Sequence, residues 1–390
     1  MQESSFSGKT DTRVGVLGAG QLGKMMALAA GNWHLPLYFL DKSPDMPAVR
    51  FGAGFTEGDF QSYEDVYRFG KTVDLLTIEI EHVNIAALKQ LEAEGLPIHP
   101  TPAVLEMIKD KGLQKTFYRV EALPTAPFRL YDDAAAIRAG LERGDIVLPF
   151  VQKSRSEGYD GKGVQIVRTA ADLLRLMDTP SVVEQLVDID KELAVIVART
   201  PSGDIKAYPP VEMSFHPEAN LVEFLLCPAR IDASTAREAS DLAIKLAQAM
   251  KITGLLAVEL FLDKQGNLLI NEVAPRPHNS GHHTIESCPT SQFEQHLRAI
   301  LNWPLGDTSL RVPAAAMINV LGAADASGEA TYEGLAEVLQ TPAAAIHLYG
   351  KDTVKPFRKM GHITLTANSV AEVVEKARAI EGKLQAIAKK

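Results

Sequence analysis

Two stretches of the chain place a carboxylate among apolar residues: Leu255-Leu-Ala-Val-Glu259-Leu-Phe-Leu-Asp263 and Leu268-Leu-Ile-Asn271-Glu272-Val273. Both read as strands, and the short polar turn between them, with Gly266, reads as a hairpin. If Asp263 pairs with Leu268 across a four-residue loop, Glu259 lies directly opposite Glu272 on one face. Opposed side chains in an antiparallel ladder stand about 4.5–5.5 Å apart at Cβ, where like charges repel. Such a pair calls for a cation. Magnesium, which takes one or two carboxylates and completes its shell with phosphate oxygens, is the natural one. A one-residue slip would send the acids to opposite faces and leave two solvated carboxylates.

Two glycine-rich segments could serve phosphates. Gly18-Ala-Gly20-Gln21-Leu22-Gly23 stands between an apolar strand beginning at Val14 and a helical stretch from Gln21 to Ala30, with Asp41 ending the next strand. This is the dinucleotide fingerprint, and alone it favours a nicotinamide-dependent dehydrogenase. The free N–H groups of a helix N-terminus would also suit any phosphate, and a plain strand-to-helix turn fits the same residues. The second segment, Lys153-Ser-Arg-Ser-Glu-Gly158-Tyr-Asp-Gly161-Lys-Gly163, lacks P-loop order and runs into the strand-like Val164-Gln-Ile-Val-Arg168. It reads as a hairpin that folds over phosphates as a lid; a surface hairpin is the plainer alternative.

The elements that must position these residues fall into three parts. Over residues 1–110 strands alternate with helices, which implies a Rossmann-like parallel sheet covered on both faces. Residues 111–300 change texture to longer alternating strands, with the lid near 120–185, and residues 301–390 form a smaller C-terminal domain. At 390 residues, two or three domains are expected. A net charge of −9 argues against broad nucleic-acid binding. Cys227 and Cys288 read as small buried hydrophobes, since two cysteines build neither a disulfide framework nor a zinc site. The polar stretch before Arg13 lacks a signal-peptide core, and no apolar run approaches the ~20 residues of a membrane span. A cytoplasmic enzyme without membrane or nucleic-acid partners is the expectation.

Lid hairpin, acidic strand pair and the following Pro275-Arg276-Pro-His278-Asn279-Ser-Gly-His282 together resemble the ATP-grasp superfamily, in which two α+β subdomains clamp ATP. Within it, Gly18 to Met25, Glu79-Ile-Glu81-His82-Val83, Gly158 to Gly163, Asn271 to Arg276, His278 to His282 and Arg358-Lys-Met-Gly-His362 resemble, in order and spacing, the N5-carboxyaminoimidazole ribonucleotide synthetase family of purine biosynthesis. The resemblance implies an ATP-grasp fold behind the Rossmann-like domain. It also implies an ATP-dependent ligase, usually a homodimer, that uses ATP, magnesium, bicarbonate and 5-aminoimidazole ribonucleotide and passes through carboxyphosphate.

Residue by residue, it makes Lys111 and Lys153 cations at the nucleotide, and Gly158, Tyr159, Asp160, Gly161, Lys162, Gly163 and Val164 the lid. Glu184, Gln185, Leu186 and Val187 become the hinge whose backbone reads adenine, and Glu192 the acid at the ribose. Asn271 stands beside the metal ligands Glu259 and Glu272. Arg276 and His278 would position bicarbonate. Gly20, Gln21, Leu22, Glu79, Glu81 and Asn279 would meet the ribonucleotide, whose phosphate would be gripped by Lys351, Lys355, Arg358 and Lys359, with Lys355 close to the chemistry. Three departures accompany the match. Glu157 stands where glycine is usual and Val164 where glutamine is common; Phe215 replaces a nucleotide-contacting histidine; and Glu272-Val-Ala274 lacks the Glu-x-Asn ligand. Rival readings are a dehydrogenase, another ATP-grasp ligase such as a formate-using purine ligase or a biotin-carboxylase-like enzyme, and a non-catalytic protein of the same fold.

Overall fold

The computed structural model describes residues 10–156, 163–215 and 222–389. In the N-terminal part, strands β1 (Val14–Leu17), β2 (Leu37–Asp41), β3 (Gly54–Glu57), β4 (Leu75–Ile78) and β5 (Ile98–His99) form one parallel sheet in the order 3-2-1-4-5. Helices α1 (Gln21–Gly31), α2 (Tyr63–Gly70), α3 (Ile85–Ala93) and α4 (Pro102–Lys109) alternate with the strands. Ser62, Asn84 and Thr101 cap the last three through their side-chain oxygens. Strands β1, β2 and β4 are almost wholly buried, as apolar runs covered on both faces should be. β3 is the strand the apolar pattern does not announce, because Gly54–Glu57 is short and half-exposed.

Helix α5 (Lys111–Val120) leads into a four-stranded antiparallel sheet of β6 (Phe128–Tyr131), β7 (Phe150–Ser154), β8 (Val164–Val167) and β9 (Ser181–Gln185), with α6 (Ala134–Glu142) beside it. The apolar run from Ile146 does not enter the sheet until Phe150, one residue past Pro149, which has no N–H to give. The stretch around 171–177, which reads as a helix, is a 3₁₀ turn over Ala170–Arg175.

The second large sheet draws on the rest of the chain: β10 (Ile189–Arg199), β11 (Ile205–Ala207), β12 (Val211–Phe215), β13 (Val222–Cys227), helix α7 (Ala233–Ala249), β14 (Gly254–Asp263) and β15 (Leu268–Ala274). After α8 (Thr284–Ser287) and α9 (Gln292–Ile300) come β16 (Ala314–Leu321), β17 (Gly328–Glu333), α10 (Leu335–Leu339), β18 (Ala344–Leu348), β19 (Thr353–Val354), β20 (Lys359–Ala367), α11 (Val370–Ile380) and β21 (Gln385–Ala388). The order β15-β14-β10-β12-β13-β16-β20-β18, with β11 on the flank of β10, makes nine strands in one sheet. C-terminal strands therefore continue the sheet that carries the acidic hairpin. α9 packs its Phe293, Leu297 and Ile300 into the core of the N-terminal sheet. His296 on the same helix sends Nε2 to the Thr77 hydroxyl of β4, 2.9 Å away. No helix among the described residues is long and apolar enough to cross a membrane.

Candidate active site

The hairpin of β14 and β15 does place Glu259 opposite Glu272, but by a different route from the simple one. Leu262, not Asp263, pairs with Leu268. Asp263 is consumed by the turn: its carboxylate accepts from the Gln265 and Asn267 N–H groups at 2.9 and 2.8 Å and from Asn267 Nδ2 at 2.9 Å. The turn is thus one residue longer than a four-residue loop, and it throws the register off by one. A β-bulge at Asn271, between the Leu260–Ile270 and Glu259–Glu272 pairs, restores it. The bulge has a second effect: consecutive residues both face the cleft. Lys153 Nζ donates to Asn271 Oδ1 at 2.9 Å, and Lys111 Nζ to Glu272 Oε2 at 3.0 Å.

On the neighbouring strand, Ala194 stands across from Glu259, and Glu192, on the same face, stands across from Phe261. Three acids therefore share one face. Burial, then Glu272 and Glu192, pushes Glu259 up to about 8, while burial and Glu272 push Glu192 up to about 7. Burial works on Glu272 in the same sense, but Lys111 and Lys153 hold it below the usual range. Such a face is short of positive charge. The described residues hold no group of three or more His, Cys, Asp or Glu able to bind a metal alone. Two opposed carboxylates are what magnesium uses when phosphate oxygens complete its shell, so the donor set fits that ion.

The cations come from two elements. Lys111 opens α5, whose N-terminus is capped by Asp110; Asp110 also pairs with Arg155 beyond β7, at 2.9 Å from Nε. Lys153 lies on β7 and reaches both Asn271 and Glu184 Oε2, the latter at 2.9 Å. The Glu184 side chain is buried between Lys153 and Lys115, so whatever it does at the hinge falls to its backbone. Gln185, Leu186 and Val187 line a cavity of about 590 Å³ with Pro124, Pro127, Leu268 and Leu269. In the hairpin Leu269 pairs with Phe261, which also stands across from Glu192, giving an apolar floor beside the acids. Of the lid, Gly163 and Val164 are described: Val164 pairs with Lys153 and is exposed, which offers no polar group to the cleft. Gly158, Tyr159, Asp160, Gly161 and Lys162, with Glu157, lie outside the described residues. Phe215 ends β12, its backbone paired with Val222.

At the N-terminal sheet the glycine loop differs from a dinucleotide site. Gly20 and Gly23 donate their N–H groups to Glu79, the latter at 2.7 Å, and Ala19 donates to Asp41 at 2.7 Å. Two of the chain's own carboxylates occupy the N-terminus of α1, and Asp41 is buried there instead of awaiting a ribose. The dehydrogenase reading loses its anion site and its acid together. Gln21 and Leu22 follow on the first turn of α1, Gln21 half-buried and Leu22 buried. Burial raises Glu79 despite these two N–H bonds.

Glu81 pairs with Arg276 Nε at 2.8 Å, which joins the N-terminal sheet to the loop after β15. His278 lies 3.7 Å from Glu259 through Nε2 and contacts the Ser280 hydroxyl through Nδ1 at 2.9 Å; burial, then Arg276 and Lys359, lowers it to about 3. Asn279 is buried. Its side-chain amide forms a reciprocal pair with that of Asn319 on β16, at 2.8 and 3.0 Å. The basic turn is also less of a cluster than its sequence suggests. Lys351 Nζ donates to the Lys359 carbonyl at 2.7 Å, Arg358 folds back onto Thr353 at 2.7 Å, and Lys355 is exposed. Lys359 is the member whose charge bears on Glu259 and His278.

Sequence reasoning passed over Lys115, Phe261, Leu269 and Asn319. For Lys115 the signal was available, since it stands one helical turn after Lys111; Asn319 sits in an apolar strand with nothing local to mark its partner. The motif histidines His282 and His362 prove to be buried, their rings tilted against each other with centroids 4.7 Å apart, while His347 stacks on His362 at 4.4 Å.

Three sequence models divide the chain among them: a ribonucleotide synthetase preATP-grasp domain over residues 11–109, an ATP-grasp domain over 116–293 and a phosphoribosylaminoimidazole carboxylase C-terminal domain over 315–376. The N5-carboxyaminoimidazole ribonucleotide synthase of Synechococcus elongatus is 36% identical over 382 residues, covering 96% of this chain and 95% of the relative. The chain belongs to the N5-carboxyaminoimidazole ribonucleotide synthase family. Solved structures of that family superpose closely. The Thermotoga maritima synthetase is 38% identical with a TM-score of 0.89, covering 97% of this chain and all of the other. The Aspergillus clavatus synthase, solved with ADP and 5-aminoimidazole ribonucleotide, is 33% identical with a TM-score of 0.87, covering 95% and 98%.

Proposed function

We propose that this member of the N5-carboxyaminoimidazole ribonucleotide synthase family uses ATP and bicarbonate to carboxylate the exocyclic amine of 5-aminoimidazole ribonucleotide, releasing ADP and phosphate. The carrying observation is the bulged hairpin, which aims Glu259, Asn271 and Glu272 at one cleft beside Lys111 and Lys153. The relative from Aspergillus clavatus, described with ADP and the ribonucleotide, supports the substrates.

In this reading the nucleotide lies between the lid sheet and the nine-stranded sheet. The backbone of Glu184 to Val187 meets adenine, Phe261 and Leu269 form its floor, Glu192 meets the ribose, and Lys111 and Lys153 offset phosphate charge. Glu259 and Glu272 would hold magnesium, which supplies further charge neutralisation at the phosphates. Bicarbonate oxygen attacks the γ-phosphorus and ADP leaves. The resulting carboxyphosphate, or carbon dioxide from it, forms the new C–N bond with the amine as phosphate departs. His278 is neutral at physiological pH, so it can orient bicarbonate by hydrogen bonding while Arg276, held by Glu81, and Lys359 supply positive charge. The lid excludes water that would hydrolyse the intermediate. Gly20, Gln21, Leu22, Glu79, Glu81 and Asn279 remain the proposed ribonucleotide wall, with Asn279 shaping it through Asn319. Lys351, Lys355, Arg358 and Lys359 remain the proposed phosphate grip. Domain divisions near residues 110 and 300, a homodimer and a cytoplasmic location belong to the same reading, on family resemblance.

Release of ADP, followed with and without 5-aminoimidazole ribonucleotide and with and without magnesium, tests the proposal. Magnesium-dependent release accelerated by the ribonucleotide is expected. Indifference to the ribonucleotide, with acceleration by formate and a different purine precursor, would move the chain to another ATP-grasp ligase activity. Glu272→Gln keeps the shape and deletes the charge; full turnover in that variant would refute the metal assignment.

A further inference from the structure

Helix α5 carries a second lysine, buried behind the proposed ligand cleft. Lys115 is 4% exposed in its side chain and stands one turn after Lys111. Its Nζ lies 2.9 Å from Glu184 Oε1, an ion pair without hydrogen-bond alignment, and donates to the Thr125 hydroxyl at 2.5 Å. A longer contact, 3.4 Å, reaches the carbonyl of Ile270, the residue before the bulge. Lys115 thus joins α5, the hinge strand β9 and the acidic strand β15. Glu184, 3% exposed, carries one charge between two lysines. Lys153, at 12%, is the more accessible of the two and already shares itself with Asn271 in the cleft.

We propose that Lys115 is a positioning residue of the nucleotide site: by satisfying Glu184 from behind, it releases Lys153 to the nucleotide. A buried carboxylate keeps a cationic partner close, because leaving it unpaired is costly. With Lys115 in place, that partner is permanent and Lys153 can turn toward a phosphate or the base. Without Lys115, Glu184 has Lys153 as its remaining close cation and draws it back from the cleft. The arrangement gives one lysine of the pair to the protein and the other to the ligand. This inference rests on the nucleotide-binding reading above.

ADP binding measured by titration calorimetry separates the two. Wild-type protein should bind ADP; absence of binding would overturn the nucleotide reading and this inference with it. Lys115→Met should weaken ADP binding by about tenfold or more, the loss of one charge-assisted hydrogen bond from Lys153. The double variant Lys115→Met, Glu184→Gln removes the trap along with its guard, and should return affinity to within about threefold of wild type. A merely structural Lys115 would be made worse, not better, by the second buried substitution. If Lys115→Met does not fold, as shown by circular dichroism, the folded double variant is compared with Lys153→Met. Near-wild-type affinity in the double variant sustains the proposal. Wild-type affinity in Lys115→Met, or a double variant as weak as Lys153→Met, overturns it.

Discussion

Acid should loosen the seam between the N-terminal sheet and α9, and His296 allows the size of the effect to be worked out. The imidazole is fully buried, with Nε2 against Thr77 and Nδ1 without a hydrogen-bond partner among the described residues. Burial, with a smaller contribution from His99, lowers it from an ordinary 6.5 to about 3. Between those values the unfolded chain binds a proton that the folded chain does not, so stability falls as pH falls through the window. From pH 7 to pH 5 the cost is about 2 kcal/mol for this one group, at 1.36 kcal/mol per pH unit below the unfolded value. The assay is built into the molecule. The two tryptophans, Trp33 and Trp303, meet edge to face at 5.2 Å beside α9, so their fluorescence reports the seam in a urea titration. His296→Gln removes the titration and keeps a polar group for Thr77. Its stability at pH 7 should be lower, but its loss between pH 7 and pH 5 should be smaller than wild type's by about 2 kcal/mol. Identical losses in the two proteins would refute the argument, whatever the other buried histidines contribute.

Three further outcomes follow from the geometry. Gly254 has φ of +99°, and a Cβ there would stand 3.0 Å from His296 Cε1, so Gly254→Ala should cost about 2–4 kcal/mol in thermal or urea unfolding. Asn319→Leu leaves the buried amide of Asn279 without its partner. A stability loss of about 1–3 kcal/mol is expected, together with a higher KM for the ribonucleotide than for ATP in the ADP-release assay; unchanged values of both would discard the role. Replacing Lys355 and Arg358 together by Ala should raise KM for the ribonucleotide at least about tenfold, the loss of one charged contact to phosphate, while KM for ATP stays near wild type.

What could be read from the residues divides along the range of the interactions involved. Strand β1, the turn at Gly18 and α1 are legible because a buried apolar run, glycine and an apolar helical face are local signals. The facing of Glu259 and Glu272 was legible too, though the path to it was not. The extra turn residue and the bulge at Asn271 each shift the register by one and cancel, so the end result looks like the simple hairpin. The fate of the glycine loop's N–H groups was hidden, because Glu79 follows the end of β4, far along the chain. The same holds for Asn279 and Asn319, and for Lys115 and Glu184. The basic turn was legible as a run of cations but not in its side-chain directions: neighbours in sequence need not point one way, and Arg358 and Lys351 bond to the turn's own backbone.

The continuation of the large sheet into the C-terminal strands has a consequence for synthesis. β13 gains its outer neighbour, β16, only when residues 314–321 have been made, with the whole 228–313 stretch translated in between. At about 5–20 residues per second that interval is on the order of ten seconds. Throughout it the edge of β13, with the sequence Phe224-Leu-Leu-Cys227, offers unpaired N–H and carbonyl groups along an apolar strand. A nascent chain arrested in this interval would carry an open, adhesive sheet edge. Completion of the C-terminal strands therefore seals the sheet against self-association as well as extending it.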